Sequence, residues 1–153
     1  MKVKKIVTST IELELDISGA TLLTRDEASE LPERLKRYDK LWWLKSPGNY
    51  SCFVVCVRSG VYVNCNSEWG LITVRPALII SNFESSNLKI GDTFKFGDKE
   101  FEIISSDKAF CLSDIGQCAF RKDYKAPDAN DYEKSDIKKY VDNWFEKVKE
   151  LEE

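Results

Sequence analysis

The first regular pattern in the chain is Ile11, Leu13, Leu15 and Ile17 alternating with Glu12, Glu14 and Asp16, the two-residue period of a strand with one buried face. Gly19 is expected to end it. Thr24 followed by Glu27 has capping-box spacing, so a helix is predicted there with Ala28 and Leu31 on its inner face. Pro32 should break that helix or open a second short piece through Glu33 to Arg37. From Leu41 to Ile80 the pattern is strand-like, with a turn at Pro47-Gly48 and a hairpin whose arms, Phe53 to Val57 and Val61 to Cys65, join at Arg58-Ser59-Gly60. On the first arm Phe53, Val55 and Val57 share one face; on the second, Tyr62, Asn64 and Asn66 share the face expected to be exposed.

Pro76 is expected at a strand edge or bulge, where no ladder bond is lost. After a polar connector from Asn82 to Asn87, Asp92 to Phe96 and Glu100 to Ile104 read as a second hairpin turning at Gly97-Asp98, with short strands to follow at Ala109 to Leu112 and Gln117 to Phe120. Lys122 to Asn130 has loop composition. Beyond a Ser135 N-cap, Ile137, Tyr140, Val141, Trp144, Phe145, Val148 and Leu151 fall on one helical face opposite charged residues. The expected fold is a single irregular α+β domain, mostly antiparallel sheet, with a capping N-terminal helix and a long C-terminal amphipathic helix docked on the sheet.

Trp42-Trp43-Leu44-Lys45-Ser46-Pro47-Gly48 and Val74-Arg75-Pro76-Ala77-Leu78 frame a segment with a different character. The frames are apolar or turn-forming, as a buried scaffold would be. Between them stand Tyr50, Cys52, Phe53, Cys56, Arg58, Tyr62, Asn64, Asn66, Glu68 and Trp69, a mixture of rigid aromatic area and adaptable hydrogen-bonding groups suited to contact. The segment from about 50 to 69 is therefore the candidate binding surface, with Trp42, Trp43, Arg75 and Trp144 as its scaffold. The alternative is a β-sheet with ordinary aromatic core residues. Arg75, the charged residue in an apolar block, is expected to lock the frame by pairing with an acid or with carbonyl oxygens, the alternative being that it holds a ligand carboxylate or phosphate.

These two blocks, with Leu22-Leu23-Thr24-Arg25-Asp26-Glu27-Ala28 upstream, resemble a bacterial and bacteriophage domain family of unknown function marked by WWLRSPG-like and GVRPAL-like blocks. Leu88-Lys89-Ile90-Gly91-Asp92 with Phe96-Gly97, Ala109-Phe110-Cys111-Leu112 and Asp131-Tyr132-Glu133-Lys134-Ser135-Asp136-Ile137 resemble further blocks of the same family. In many members those blocks come first, so the arrangement resembles a circular permutation, with segment 20–80 ahead of segment 88–151 in one domain spanning 1–153. Lys45 stands where the family pattern usually has Arg, and Thr73 where it usually has Gly. Lys cannot reproduce a planar bidentate fork. The framing blocks are also similar to those of C-type-lectin-like and formylglycine-generating-enzyme-like folds, including the variable proteins of diversity-generating retroelements. That likeness implies a variable surface on a fixed scaffold, and binding in place of catalysis.

At 153 residues the chain suits one domain. Its net charge of −3, with signs interspersed apart from a Lys2, Lys4, Lys5 cluster, gives no basic patch for nucleic acid. No apolar run has the length of a membrane span, and the N-terminus turns polar at once, so a soluble, unexported protein is expected. The five cysteines, Cys52, Cys56, Cys65, Cys111 and Cys118, are an odd number without a secretion signal, and reduced thiols are the default. Cys52 and Cys56 would stand about 13 Å apart along a strand and could not bridge each other.

The absence of histidine removes Ser-His-Asp and Cys-His catalysis and any imidazole ligand. No CxxC pair, phosphate-binding glycine loop or metal-ligand spacing occurs, so no metal and no cofactor are expected. A thiol nucleophile would need a cationic neighbour, and Cys56 beside Arg58 is the nearest candidate. The residues and the resemblance together give the expectation of a non-enzymatic phage- or prophage-associated protein that binds a macromolecule, most readily a protein, in the host cytoplasm or on the virion. The alternatives are an inhibitor of a host defence protein, a small enzyme of the formylglycine-generating type, and a structural virion component.

Overall fold

The alternation at 11–17 belongs to a longer strand than its period suggests. In the computed structural model, which describes residues 1–8 and 10–152, β2 (Ile11–Thr21) runs through Gly19 and absorbs it as a register shift between Ile17 and Gly19. Gly19 therefore bends the strand instead of ending it, as glycine at a bulge does. The N-terminal lysine-rich stretch, which carries no clear strand period, forms β1 (Lys2–Val7) and pairs antiparallel with β2 from Lys2 opposite Asp16 to Val7 opposite Ile11.

The remaining elements are α1 (Arg25–Ser29), α2 (Glu33–Lys36), β3 (Trp42–Pro47), β4 (Phe53–Arg58), β5 (Val61–Asn66), β6 (Ala77–Ile80), β7 (Thr93–Phe96), β8 (Lys99–Ile103), β9 (Lys108–Cys111) and α3 (Asp136–Glu152). One sheet has the order β1-β2-β6-β9-β8-β7, the other β3-β4-β5, and every strand pairing within them is antiparallel. The large sheet curls, because the Thr8 N–H reaches the Thr93 carbonyl at 2.8 Å and draws the end of β1 towards β7. The chain is thus an α+β domain of mostly antiparallel sheet. Among the described residues no helix is long and apolar enough to cross a membrane.

Local sequence signals account for several elements. Thr24 Oγ1 accepts the Glu27 N–H and the Glu27 carboxylate accepts the Thr24 N–H, completing the capping box of α1. Pro32 takes the N-cap place of α2. Ser59 and Gly60, at φ 49° and 85°, make the tight turn between β4 and β5, a conformation glycine adopts without a Cβ penalty. Ser135 Oγ accepts the Lys138 N–H at 3.0 Å and caps α3.

Three expectations are corrected. Gln117 to Phe120 is not a strand: Gln117 makes one isolated bridge to Thr73, and Phe120 is drawn into the core beside Trp43. Pro76 immediately precedes β6, an interior strand, so its missing N–H falls outside the ladder while its carbonyl accepts the Cys111 N–H. Leu151, expected on the apolar face of α3, points to solvent and is 83% exposed, while its neighbour Glu152 turns to the Gly97 N–H and to Lys5 of the sheet. Trp144 is half-buried and packs its ring 5.9 Å from Phe96 and 6.0 Å from Phe101.

The apolar side chains pack in three adjoining clusters. Leu15, Ile17, Phe96 and Phe101 meet Phe145 and Val148 of α3 inside the curl of the large sheet. Trp43, Val54, Phe120, Ile137 and Val141 join the small sheet to the start of α3. Leu23, Ala28, Leu35, Trp42, Val57 and Phe110 fasten α1 and α2 across the two sheets. Trp42 and Trp43, neighbours on β3, are both fully buried, one in each of the last two clusters. Burying each ring is worth on the order of 4–6 kcal/mol of transfer free energy before conformational entropy is subtracted.

Candidate functional site

Arg75 shows how firmly the second framing block is held. Its side chain is buried, and its guanidinium donates to the carbonyls of Leu35 at 2.8 Å, Cys111 at 3.1 Å and Ser113 at 3.2 Å. The rings of Tyr38, Trp42 and Phe110 stand 4.4, 4.7 and 4.4 Å from its central carbon. Burial lowers its pKa to about 10, which leaves it charged at neutral pH. A planar cation thus ties α2, β9 and the chain after β9 to the frame through directed donors and ring faces. Tyr38 in turn donates to Asp114, and burial with that bond pushes its phenol well above the usual range.

The framed segment divides into two ends. β4 and β5 pair Phe53 with Asn66 and Arg58 with Val61, so the loops before β4 and after β5 lie together at the Phe53 end. At that end Tyr50 is 66% exposed and Trp69 50%; Leu71, 82% exposed, follows where the chain leaves for the Thr73 bridge to Trp42. Their loops are fixed by backbone bonds: Gly48 N–H to Phe53 O at 2.8 Å, Ser67 N–H to Cys52 O at 2.8 Å, and Arg121 N–H to Ser67 O at 2.9 Å. Asn130 Nδ2 holds the Tyr50 carbonyl at 3.2 Å. Gly48 is required here, because a Cβ would meet Asn64 Oδ1 at 2.5 Å and Phe53 Cβ at 2.8 Å. Leu71 is not among the expected contact residues, because in the run Trp69-Gly70-Leu71-Ile72-Thr73-Val74 nothing distinguishes it from the buried Ile72 and Val74.

The other expected contact residues scatter. Arg58 is exposed, but at the far end of β4, about 17 Å from Phe53 by strand rise, so it shares no surface with Trp69. Tyr62 is corrected to a half-buried residue: Arg25 lies 4.8 Å over its ring and its hydroxyl is enclosed without a hydrogen-bond partner. The exposed face expected at Tyr62, Asn64 and Asn66 is therefore interrupted. Asn64 is exposed but its side-chain oxygen accepts the Asn49 N–H, and half-buried Asn66 accepts the Glu68 N–H at 3.0 Å, leaving Glu68 exposed on the turn. Cys52 and Phe53 are half-buried, with Phe53 against the Tyr50 ring at 5.9 Å.

Cys56 is corrected from a contact residue to a core residue. It is fully buried and bonded to Cys65, with Cα atoms 6.3 Å apart, so the expectation of five reduced thiols fails at this pair. The pair is diagonal across β4 and β5, since Cys56 stands opposite Val63 and Cys65 opposite Val54. Burial raises the thiol of Cys111 and carries that of Cys118 up to about 12, so neither supplies a thiolate at neutral pH. No group of three or more Cys, Asp or Glu with metal-binding geometry occurs among the described residues.

The first framing block carries a cation in a different setting. Lys45 is half-buried on β3, and its ammonium donates to Thr21 Oγ1 at 3.2 Å and stands 5.6 Å from the Tyr132 ring centre. Burial raises the Tyr132 phenol to about 12, so it stays protonated, and its hydroxyl is enclosed against Thr21 and the Leu22 carbonyl. Above them lies an open cleft of about 420 Å³ between the start of α1, the end of β3 and the turn at Asn130-Asp131.

No family model, no curated protein and no solved structure matches this chain.

Proposed function

We propose that the chain is a non-enzymatic binding protein that offers the Tyr50 and Trp69 end of the small sheet, with the neighbouring Leu71, to a protein partner. The observation that carries this reading is the presence of two large exposed aromatic side chains, Tyr50 and Trp69, on adjoining loops whose backbones are fixed, with the exposed Leu71 two residues further along the second loop. Rigid aromatic anchors lose little entropy on binding and supply most of the contact area at protein interfaces. The resemblance of the framing blocks to a bacterial and bacteriophage family supports a phage or prophage setting.

The test is affinity capture from bacterial lysate with the wild-type chain and with a Tyr50→Ser, Trp69→Ser, Leu71→Ser variant whose melting temperature is unchanged. A stoichiometric partner held by the wild type and lost by the variant is expected. Equal capture by the two proteins, or capture by neither, overturns the reading.

A further inference from the structure

The large sheet curls but does not close. Its outer strands are β1 and β7, and among the described residues one backbone bond joins them, from the Thr8 N–H to the Thr93 carbonyl at 2.8 Å. Thr8 Oγ1 reinforces that clasp by donating to Asp92 Oδ1 at 2.9 Å. Beyond it the two edges face each other across a cleft of about 540 Å³, lined by Lys4, Lys5 and Ile6 on one bank and by Thr93, Phe94 and Lys95 on the other.

The pairing registers show which backbone groups are left over. Met1 and Ile17 exchange both of their backbone bonds at 2.8 Å, so by alternation Val3, Lys5 and Val7 bond to β2 while Lys4 and Ile6 turn their N–H and C=O groups to the cleft. On β7, Phe96 and Lys99 close the two-residue turn at Gly97-Asp98, so Phe94 bonds to Phe101 while Thr93 and Lys95 turn to the cleft. Two strand edges with unspent donors and acceptors thus look onto one gap. The apolar surface at the gap is Ile6, 54% exposed, above the buried Phe94.

The charges say what fits between them. The register places Lys4 opposite Glu14 and Lys95 opposite Glu100, so across the outer surface the order of signs is acid, lysine, gap, lysine, acid. Glu14 is engaged with Lys2 at 3.9 Å and Lys5 with Glu152, while Lys4 and Lys95 form no salt bridge among the described residues. A carboxylate in the gap continues the alternation, whereas a lysine there would stand beside two like charges. A second copy of β1 would bring Lys2 and Lys4 against Lys4, so the same lysines oppose edge-to-edge pairing of this chain with itself.

We propose that the gap between β1 and β7 takes an extended acidic segment of a partner protein as an added strand, its backbone bonding to Lys4, Ile6 and Lys95 and its outward carboxylates lying between Lys4 and Lys95. Main-chain bonds supply the affinity of such strand addition and the alternate side chains its selectivity. The surface is separate from the Tyr50 and Trp69 end.

The test uses the peptide acetyl-Glu-Val-Glu-Val-Glu-amide as the probe, followed by NMR at the amides of Lys4, Ile6 and Lys95. The same peptide N-methylated at both valines, which cannot bond along one edge, and a peptide with lysine in place of each glutamate are the comparators. The acidic peptide is expected to give saturable shifts and slowed hydrogen exchange at these three amides, and neither comparator should do so. Lys4→Gln with Lys95→Gln should weaken the acidic peptide about tenfold, the equivalent of two cross-strand ion pairs, with the melting temperature held because both side chains are exposed. Absence of saturable shifts, or equal binding of the N-methylated peptide, overturns strand addition. Equal binding of the lysine peptide, or no loss in the double variant, overturns the assignment to acidic segments. Tyr50, Trp69 and Leu71 take no part in this binding, so its failure is separate from failure of the lysate capture.

Discussion

Each framing block contributes one cation to the interior, and the two are treated in opposite ways. Arg75 is surrounded: three carbonyls take its donors and three rings cover its faces. Lys45 is left with one neutral partner and an open cleft. A buried ion whose interactions are complete is part of the scaffold, and removing it leaves its partners unpaired. One whose interactions are incomplete contributes little to the fold. The contrast between the two is thus a contrast in hydrogen-bond satisfaction, not in charge.

The sharpest way to break this comparison is Arg75→Met. It strips the partner from two buried carbonyls and one part-buried one and removes the cation from between the rings, and it is expected to cost about 3 kcal/mol, read as a lowered urea midpoint. Partner capture should then fail only in step with unfolding. Arg75→Lys keeps the charge but cannot span three carbonyls or stack flat on the rings, and should cost about 1–2 kcal/mol. Retained midpoints with lost capture in these variants would move Arg75 from scaffold to ligand site.

Acid separates the cage from its surroundings. The hydrogen-bond acceptors of Arg75 are backbone carbonyls, so those bonds do not titrate. Glu27 in the cap of α1 does. Burial favours its neutral form, but the bonds from Lys108, at 2.8 Å, and from the Thr24 N–H outweigh that and hold its pKa below the ordinary 4.5. A carboxylate with a depressed folded-state pKa contributes stability that is complete above the unfolded value and lost as pH falls through the folded one. Wild-type stability should therefore fall as the pH drops below about 4.5, and Glu27→Gln should flatten part of that slope while Arg75→Met leaves its shape unchanged. Equal acid slopes for wild type and Glu27→Gln would remove the cap from the account.

How much of this was legible in the sequence follows from how local each signal is. Thr24 with Glu27, Ser135 before Ile137, and Ser59-Gly60 between two β-branched runs each act over a few residues, and the structure realises all three. β1 was hidden because its inner face alternates Val3, Lys5, Val7, and Lys5 becomes an inward residue only through Glu152, whose carboxylate it meets at 2.5 Å from the other end of the chain. The Cys56–Cys65 pair depends on a register between two strands, which no spacing along one strand reveals. Tyr62 was assigned to an exposed face by period alone, and Arg25 and the α1 region cover it. The cleft at Lys45 draws on three segments far apart in sequence.

On the Lys45 side of the comparison the expected stability effects are small. Lys45→Met loses one bond to Thr21, whose hydroxyl still donates to the Leu22 carbonyl, and the methionine stem can fill the same apolar path; the cost should be about 0.5 kcal/mol or less. A loss comparable to that of Arg75→Met would place Lys45 in the scaffold as well.

Tyr132→Phe should have the smallest effect of all, and its sign is informative. The Tyr132 ring packs 6.2 Å from Phe120 and borders Lys45, and phenylalanine keeps those contacts. What leaves is a hydroxyl that is enclosed beside Thr21 and the Leu22 carbonyl without a well-formed hydrogen bond. Removing an unsatisfied donor of this kind relieves its desolvation cost, so the midpoint should stay level or rise slightly, by about 0.5–1 kcal/mol. A fall of similar size would mean that the hydroxyl is held by a hydrogen bond, from Thr21 or to the Leu22 carbonyl.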